Sequence, residues 1–466
     1  MGHLVNEFMK GDAFLKDAYS KQIKSILENI INEMSTHPEL FAKNPDKDFT
    51  RDRKLSFNKL IHLLLGMRGN SISKEIYDYF KNIDEIMTTS AFVQQRDKLL
   101  PEALEYIFKE FNYQCEDKLL YEGYNLYAID GSTLNIATNP NDEDTYIKPK
   151  RTKKTLKKGY EDIKGYNQLH LNALYDLMNK TYVDALIQPI HNINERVAAV
   201  TMAKRTSLKN KSIVVMDRGY AALNLFESIN RINNLDYVIR VKNNEIVEIR
   251  DLPLKELDTT ISFQIRTTQT KEDKQLYKDG KAKYVLGPSK FGKDKKDVAW
   301  TFESPFDITL RVVRFKINDK NYETIITSLN KFEFPLSKIK EIYHLRWGIE
   351  TSFRELKYAI GLVNFHSKKK EYIIQEIFAK LIMYNFCERI TKQVVIKQDN
   401  NRKWTYQVNY TMGIHICIDY FRHHSNEPPP DVETLITKYI LPIREGRQDE
   451  RKLKPKSVVF FLYRVA

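Results

Sequence analysis

Cysteine is scarce in this chain: Cys115, Cys387 and Cys417 are the three among 466 residues, far apart and without a C-x-x-C pair. That excludes a disulfide framework and argues against zinc held on cysteines. The ten histidines form neither an H-x-x-x-H nor an H-E-x-x-H pattern, so a histidine-based metal helix is not expected either. No stretch of 18 apolar residues occurs, and the opening MGHLVNEFMKGDAF lacks the apolar centre of a signal peptide. These absences point to the cytoplasm. No internal repeat is present, which sets solenoids and propellers aside.

What is abundant is positive charge and tyrosine. Lys and Arg total 75 against 61 Asp and Glu, a net charge of +14, with 27 Tyr and 24 Phe. So many aromatics do not suit a disordered basic tail, and the length allows two or three domains with a large core. A globular basic chain suggests a polyanionic partner, of which nucleic acid is the commonest.

The texture changes along the chain. Residues 1–115 read as helical, from apolar residues at i, i+3, i+4 in LKDAYSKQIKSILENIINEM, SFNKLIHLLLGM, SKEIYDYFKNI and LLPEALEYIFKEF, with Ser71, Ser73 and Ser90 as candidate N-caps. This part is either a DNA-binding module, with MRGNSIS between two helices, or a packing domain. Residues 116–242 read as an α/β core: NLYAID, YNQLHLNALYD and TYVDALIQP as three successive strands, then SIVVMD and DYVIRVK alternating with helical patterns. That order describes a mixed α/β sheet. Residues 243–335 read as a β-rich insertion with a polar, turn-rich middle. Residues 336–397 return to the core, with a long helix over roughly 371–397, and 398–466 form a basic C-terminal region suited to dimerisation or DNA contact.

Three carboxylates draw attention. Asp130 in YAIDGST and Asp217 in VVMDRGY each fall where an apolar strand is expected to end, the place where α/β sheets bind ligands. An Asp before such a turn also has a structural use, capping backbone amides. The third is Glu350 in YHLRWGIETSFRELKYAIGL. Read as one helix, that segment puts Tyr343, Arg346, Glu350, Arg354 and Lys357 within an arc of about 80°, beside an apolar stripe of Ile349, Phe353, Leu356 and Ile360. Alone, the polar stripe equally describes a solvated face with ion pairs. Converging with two aspartates it suits something else: hard oxygen ligands for Mg²⁺ or Mn²⁺, two of which about 4 Å apart support phosphoryl displacement, with neighbouring cations and tyrosine on DNA phosphates.

At these residues the sequence resembles the DDE insertion-sequence transposases of the IS-four group. Tyr343-x2-Arg346-x3-Glu350-x6-Lys357 is similar to their YREK signature, Asp130 and Asp217 stand in the contexts of their two aspartates, and PIREGR…FFLYRVA resembles many members' ends. The resemblance covers roughly residues 50–466. It implies an RNase H-like core interrupted by a β-rich insertion, with Asp130, Asp217 and Glu350 as catalytic metal ligands for two Mg²⁺ or Mn²⁺ ions. It further implies DNA contacts by Tyr343, Arg346 and Lys357, a homodimer joining two transposon ends, cleavage through a hairpin, and joining of 3′ ends to target DNA in the bacterial cytoplasm or nucleoid. A junction-resolving nuclease of the same fold and a DNA-binding protein without catalysis are the alternatives.

Further DNA-backbone candidates are Arg354, Arg240 and Lys242, and the basic run IKPKRTKKTLKKGY with Lys150, Arg151, Lys153 and Lys154. Trp300 is a candidate for stacking an extruded base, but no local motif matches and a core tryptophan is the better reading. Trp347 is expected to pack between helices, and His170 to be a satisfied core histidine.

Overall fold

The computed structural model describes residues 13–51, 53–80, 86–115, 119–148, 165–206, 210–243, 246–285, 298–318, 321–398, 403–423 and 431–444. The basic run holding Lys150, Arg151, Lys153 and Lys154, and the C-terminal stretch from 445, lie outside them.

The sheet begins with β1 (Asn125–Ile136), β2 (Tyr146–Ile147), β3 (Tyr166–Asp176) and β4 (Thr181–Pro189). β1 pairs antiparallel with β3, and β3 antiparallel with β4 and, at its start, β2. The chain then crosses over through α6 (Glu195–Arg205) to β5 (Ser212–Met216), and through α7 (Leu223–Asn230) to β6 (Leu235–Val241). β5 lies parallel to β1, and β6 parallel to β5. Three antiparallel strands followed by two parallel ones, in the order β4-β3-β1-β5-β6, are the RNase H-like arrangement. Val214 and Met216 bury toward α6 and α7 while Ile213 and Val215 bury on the opposite face, so β5 reads as an unbroken apolar run, as a strand covered on both sides must.

The strands expected as an insertion continue this sheet. β7 (Leu257–Arg266), β8 (Ala282–Tyr284), β9 (Phe306–Asn318) and β10 (Asn321–Thr327) add to it in the order β6-β10-β9-β7-β8, because β10 pairs antiparallel with β6 at Ile325↔Arg240. The short α8 (Val247–Arg250) and α9 (Lys271–Lys278) lie within this stretch. Among them Trp300 is 7% exposed, set edge-on to Phe302 and Phe306, with its indole N–H donating to the Glu303 carbonyl. Its ring is largely buried, in line with the core reading of this tryptophan.

Five helices precede the sheet: α1 (Ala13–Thr36), α2 (Phe57–Gly66), α3 (Ile72–Phe80), α4 (Thr89–Arg96) and α5 (Glu102–Gln114). Ser71 caps α3, its hydroxyl accepting from Lys74 N–H, but the caps of α2 and α4 are Ser56 and Thr88 rather than Ser73 or Ser90. After β10 come α10 (Leu336–Leu345), α11 (Trp347–Tyr358), α12 (Lys370–Thr391), α13 (Tyr410–Arg422) and α14 (Val432–Thr437), with a small ribbon of β11 (Tyr406–Val408) and β12 (Ile440–Pro442). α12 is buried along nearly its whole length and is enclosed by α1, α2, α5, α13 and β4. The helices at the two ends of the chain therefore share one core. Lys24 reinforces it by donating to the Tyr420 and His423 carbonyls at the end of α13.

Candidate active site

β1 and β5 run side by side in parallel, and their last paired positions are Ile129 and Met216. The next residue on each strand is an aspartate, so Asp130 and Asp217 stand as neighbours. Asp217 fits the expectation of a carboxylate closing a strand: it caps a short 3₁₀ turn, accepting from Gly219 N–H at 2.7 Å. Asp130 departs from it. β1 does not end at the Gly131 turn anticipated from DGS but runs on to Ile136, still paired with β3. Asp130 thus projects from mid-strand, its Oδ1 accepting from Gly131 N–H at 2.8 Å.

Side chains alternate along a strand, so Asp130 and Gly131 face opposite sides of the sheet. Ala128 packs with Ile349, Phe353 and Leu356 of α11, which puts Asp130 on the α11 side. The helix expected over 343–362 is two, α10 and α11, hinged at Arg346, which ends one and starts the other in a helical conformation (φ −50°, ψ −31°). The apolar stripe is buried as expected. On the other stripe Arg346 is 6% exposed; its Nη2 donates to Glu350 Oε1 at 2.7 Å and its Nη1 lies 3.9 Å from Asp130 Oδ2. One guanidinium spans two of the three carboxylates. Burial, and then the charges of Asp217 and Glu350, push the Asp130 carboxyl up to about 6, against Gly131 N–H and Arg346, which favour its ionised form.

The remaining stripe residues separate. Tyr343 is 5% exposed, with its hydroxyl beside Arg240. Lys357 donates to the Thr133 carbonyl of β1 at 2.8 Å, fastening α11 across the strand that carries Asp130. Arg354 is exposed. Arg240, on β6, pairs with Glu323 at 3.0 Å and with Tyr343 and Arg346 lines a cavity of about 500 Å³; Lys242 is exposed just beyond it. Trp347 lines the same cavity and is 53% exposed, with the Arg346 guanidinium 5.4 Å from its ring, instead of packing between helices.

Two neighbours, Tyr220 and Glu195, escaped sequence reasoning, and a third, His170, was read differently. Tyr220 is fully buried, its hydroxyl has no hydrogen-bond partner, and burial, followed by the charges of Asp130, Glu195 and Asp217, raises its phenol well above the usual value. Glu195 opens α6, and its Oε1 lies 3.0 Å from His170 Nε2 on β3. His170 is buried, yet neither ring nitrogen makes a hydrogen bond of good geometry, so it is not the satisfied core histidine expected. Gly131 makes this crowding feasible, because a Cβ there would meet His170 Nε2 at 2.2 Å.

An RNase H-like sheet with acidic side chains gathered at its central strands is the framework of enzymes that act on nucleic acid. The chain belongs to the DDE transposase family, since the family model "Transposase DDE domain" matches residues 121–386, more than half its length, and the protein is accordingly a DNA transposase, an enzyme of DNA recombination. No curated protein matches it. A solved structure similar to it is the piggyBac transposase synaptic complex with hairpin DNA, at 11% identity and a TM-score of 0.42, covering 95% of this chain and 88% of that one. A likeness at that level does not bear on the site.

DDE transposases generally use divalent metal ions. Asp130, Asp217 and Glu350 fit such ions in donor chemistry: all are hard oxygen donors, and a cation favours the ionised carboxylate that burial and, after it, the charges of Asp217 and Glu350 oppose at Asp130. Among the described residues no three acidic, histidine or cysteine side chains stand at mutual ligating distance, and Arg346 holds Glu350 in the arrangement described.

Proposed function

We propose that Asp130, Asp217 and Glu350 are the metal-binding catalytic set of a transposase of the IS-four type. On this reading the protein binds its element's terminal inverted repeats, cleaves them by hydrolysis and transesterification, and joins the 3′ ends to target DNA. The observation that carries it is the register: the parallel strands β1 and β5 deliver Asp130 and Asp217 to adjacent positions, and Arg346 joins the first of them to Glu350. Two Mg²⁺ or Mn²⁺ ions bound by these carboxylates would supply activation of a water or 3′-hydroxyl and stabilisation of the leaving oxygen.

The chain's own residues do the rest. Arg346 neutralises the acidic cluster until DNA and metal arrive, and then has two freed donors for a phosphate of the scissile strand. Arg354 and Lys242 are exposed and hold flanking phosphates without reading sequence. Lys357 and Tyr343 complete the YREK-like set, Lys357 by fixing α11 against β1 as well as by its charge. The basic run with Lys150, Arg151, Lys153 and Lys154 serves as a further backbone contact, and residues 1–115 as the part that recognises the ends. Two copies act together as a homodimer in the synaptic complex, and cleavage passes through a hairpin.

The test is incubation of labelled duplex carrying the repeats that flank the reading frame with protein and Mg²⁺, resolved on a denaturing gel. Asp130→Ala, Asp217→Ala and Glu350→Ala are each expected to lower cleavage by more than about 10³-fold, roughly 4 kcal/mol of barrier, while still binding the duplex. Cleavage at the wild-type rate by any of the three ends the assignment for that residue. Absence of a hairpin band ends the hairpin route alone.

A further inference from the structure

α11 carries Glu350, yet the helix before it does not set its direction, because α10 and α11 are separate helices that meet at Arg346. Its orientation has to come from what it lies against. Near its start, a Cβ on Gly348 would meet Leu177 Cδ2 at 2.9 Å, so the helix presses closely on the β3–β4 turn. Near its end, Lys357 donates to the Thr133 carbonyl of β1. Between these two points stands a pair of buried hydroxyls, Ser352 on α11 and Tyr182 on β4, 2.9 Å apart. Ser352 is 1% exposed and Tyr182 is wholly enclosed.

Ser352 donates its one proton to the Ile349 carbonyl at 2.8 Å, so Tyr182 is the donor of the bond between the two hydroxyls. Burial, and after it the charges of Glu355, Glu388 and Asp130, raise the Tyr182 phenol well above its usual value against the bond to Ser352, which keeps it a donor. The Ile349 carbonyl belongs to the same planar peptide unit as the Glu350 N–H, so this relay ends on the backbone that carries the carboxylate. Its other end is anchored in the helical hub. Asn385 of α12 accepts from Tyr182 N–H at 2.8 Å and donates to the Tyr182 carbonyl at 2.7 Å. Asn112 of α5 donates to that carbonyl at 2.9 Å and accepts from Asn385 at 2.8 Å. Packing accounts for the Tyr182 ring, set edge-on to Tyr175 and Tyr384, but not for a hydroxyl spent on α11. We infer that Tyr182 is a positioning residue for DNA cleavage, fixing the first turn of α11 through Ser352 and so the reach of Glu350 toward Asp130 and Asp217.

This inference rests on the reading of Glu350 above, and the experiment separates the two. Single-turnover cleavage of a duplex carrying the terminal repeat is followed against Mn²⁺ concentration for the full chain. The variants are Tyr182→Phe, Ser352→Ala, their double, Glu350→Gln and Tyr175→Phe, a packing control whose hydroxyl is bonded to Tyr384 at 3.3 Å rather than to α11. Melting in EDTA establishes that each is folded, and Ser352→Ala carries the test should Tyr182→Phe not fold. Tyr182→Phe and Ser352→Ala are each expected to slow cleavage at saturating duplex by at least about tenfold and to raise the Mn²⁺ concentration for half-maximal rate, with duplex binding in EDTA unchanged. The double variant is expected to be no slower than the slower single one, since both substitutions break one relay. Tyr175→Phe is expected to cleave as wild type does. A wild-type rate and Mn²⁺ dependence in folded Tyr182→Phe or Ser352→Ala, or an equal slowing in Tyr175→Phe, overturns the positioning role and leaves Glu350 standing. Wild-type cleavage by Glu350→Gln, or none by the wild type itself, overturns the reading of Glu350 and the positioning role with it.

Discussion

Two buried arginines show how differently this molecule treats the same chemistry. Arg96, at the end of α4, is 1% exposed and uses every nitrogen: Nε donates to Gln375, Nη1 to Ser367 and Glu376, and Nη2 to the Tyr372 carbonyl. Burial works against ionisation of Glu376, yet Arg96 and His366 hold its carboxyl well below the usual range. Arg346 is nearly as buried, but its Nε has no partner, it bonds one carboxylate, and it stops 3.9 Å short of another. The first arginine has its full set of partners inside the protein. The second is held among groups that repel each other, and a buried donor set left incomplete is available to a ligand. Rigidity belongs to the α12 hub and reactivity to the crevice over β1 and β5.

The largest effect should come from breaking the complete site. Arg96→Ala leaves Glu376 charged and buried without its main partner, and is expected to lower unfolding free energy by about 3–5 kcal/mol, read by urea denaturation. Arg346→Ala should cost less than half as much in the same measurement, with its main deficit in DNA cleavage. If the two variants prove equally destabilised, the contrast between hub and crevice is wrong.

A smaller effect, of opposite sign, tests the crevice itself. The Asp130 carboxyl sits near 6 in the fold, above its ordinary value, so the folded state holds this proton more tightly than the unfolded chain does. Its contribution to stability is then fully present below about pH 4 and is lost as pH rises through about 6, by up to roughly 3 kcal/mol. Asp130→Asn removes that loss. In EDTA at pH 7.5 the variant is expected to be more stable than wild type by about 1–3 kcal/mol, with the gap closing toward pH 4. Mn²⁺ should narrow it at pH 7.5 by stabilising the wild type alone. A variant less stable than wild type in EDTA would mean that the acidic cluster is not strained.

What could be read from sequence divides along the same line. The apolar runs closing on Asp130 and Asp217 and the stripe of Ile349, Phe353 and Leu356 are local patterns, and they locate the sheet and the face on which α11 lies. The hinge at Arg346 left no mark, because the hydrophobic spacing carries across it. Gly-Ser-Thr after Asp130 has the composition of a turn, but ten paired positions with β3 override that preference and carry β1 to Ile136. Continuation of the sheet through β10, β9, β7 and β8 depends on pairing between residues some eighty positions apart, such as Ile325 with Arg240, which no local window contains. Glu195 beside His170 was invisible for a different reason: an acid after an Asn cap is what any helix start prefers, so nothing local marks its approach to β3.

Arg354 is a third kind of arginine and sharpens the comparison at its weakest end. It lies a little over two turns beyond Arg346 on α11, exposed, and adds only a minor favourable charge to the neighbouring Glu355. With nothing buried to satisfy, its removal should leave stability within about 0.5 kcal/mol of wild type. If it holds a DNA phosphate, Arg354→Ala should lower the slope of log K against log salt for duplex binding by about one, equally for specific and unrelated duplexes, because a phosphate contact carries charge and no base information. Arg96→Met at the hub, assayed under conditions where it remains folded, should leave that slope unchanged. An unchanged slope for Arg354→Ala would move the DNA path off the outer face of α11 and toward the cavity lined by Arg240, Arg346 and Trp347, where the same measurement on Arg240→Ala would then be expected to show the loss.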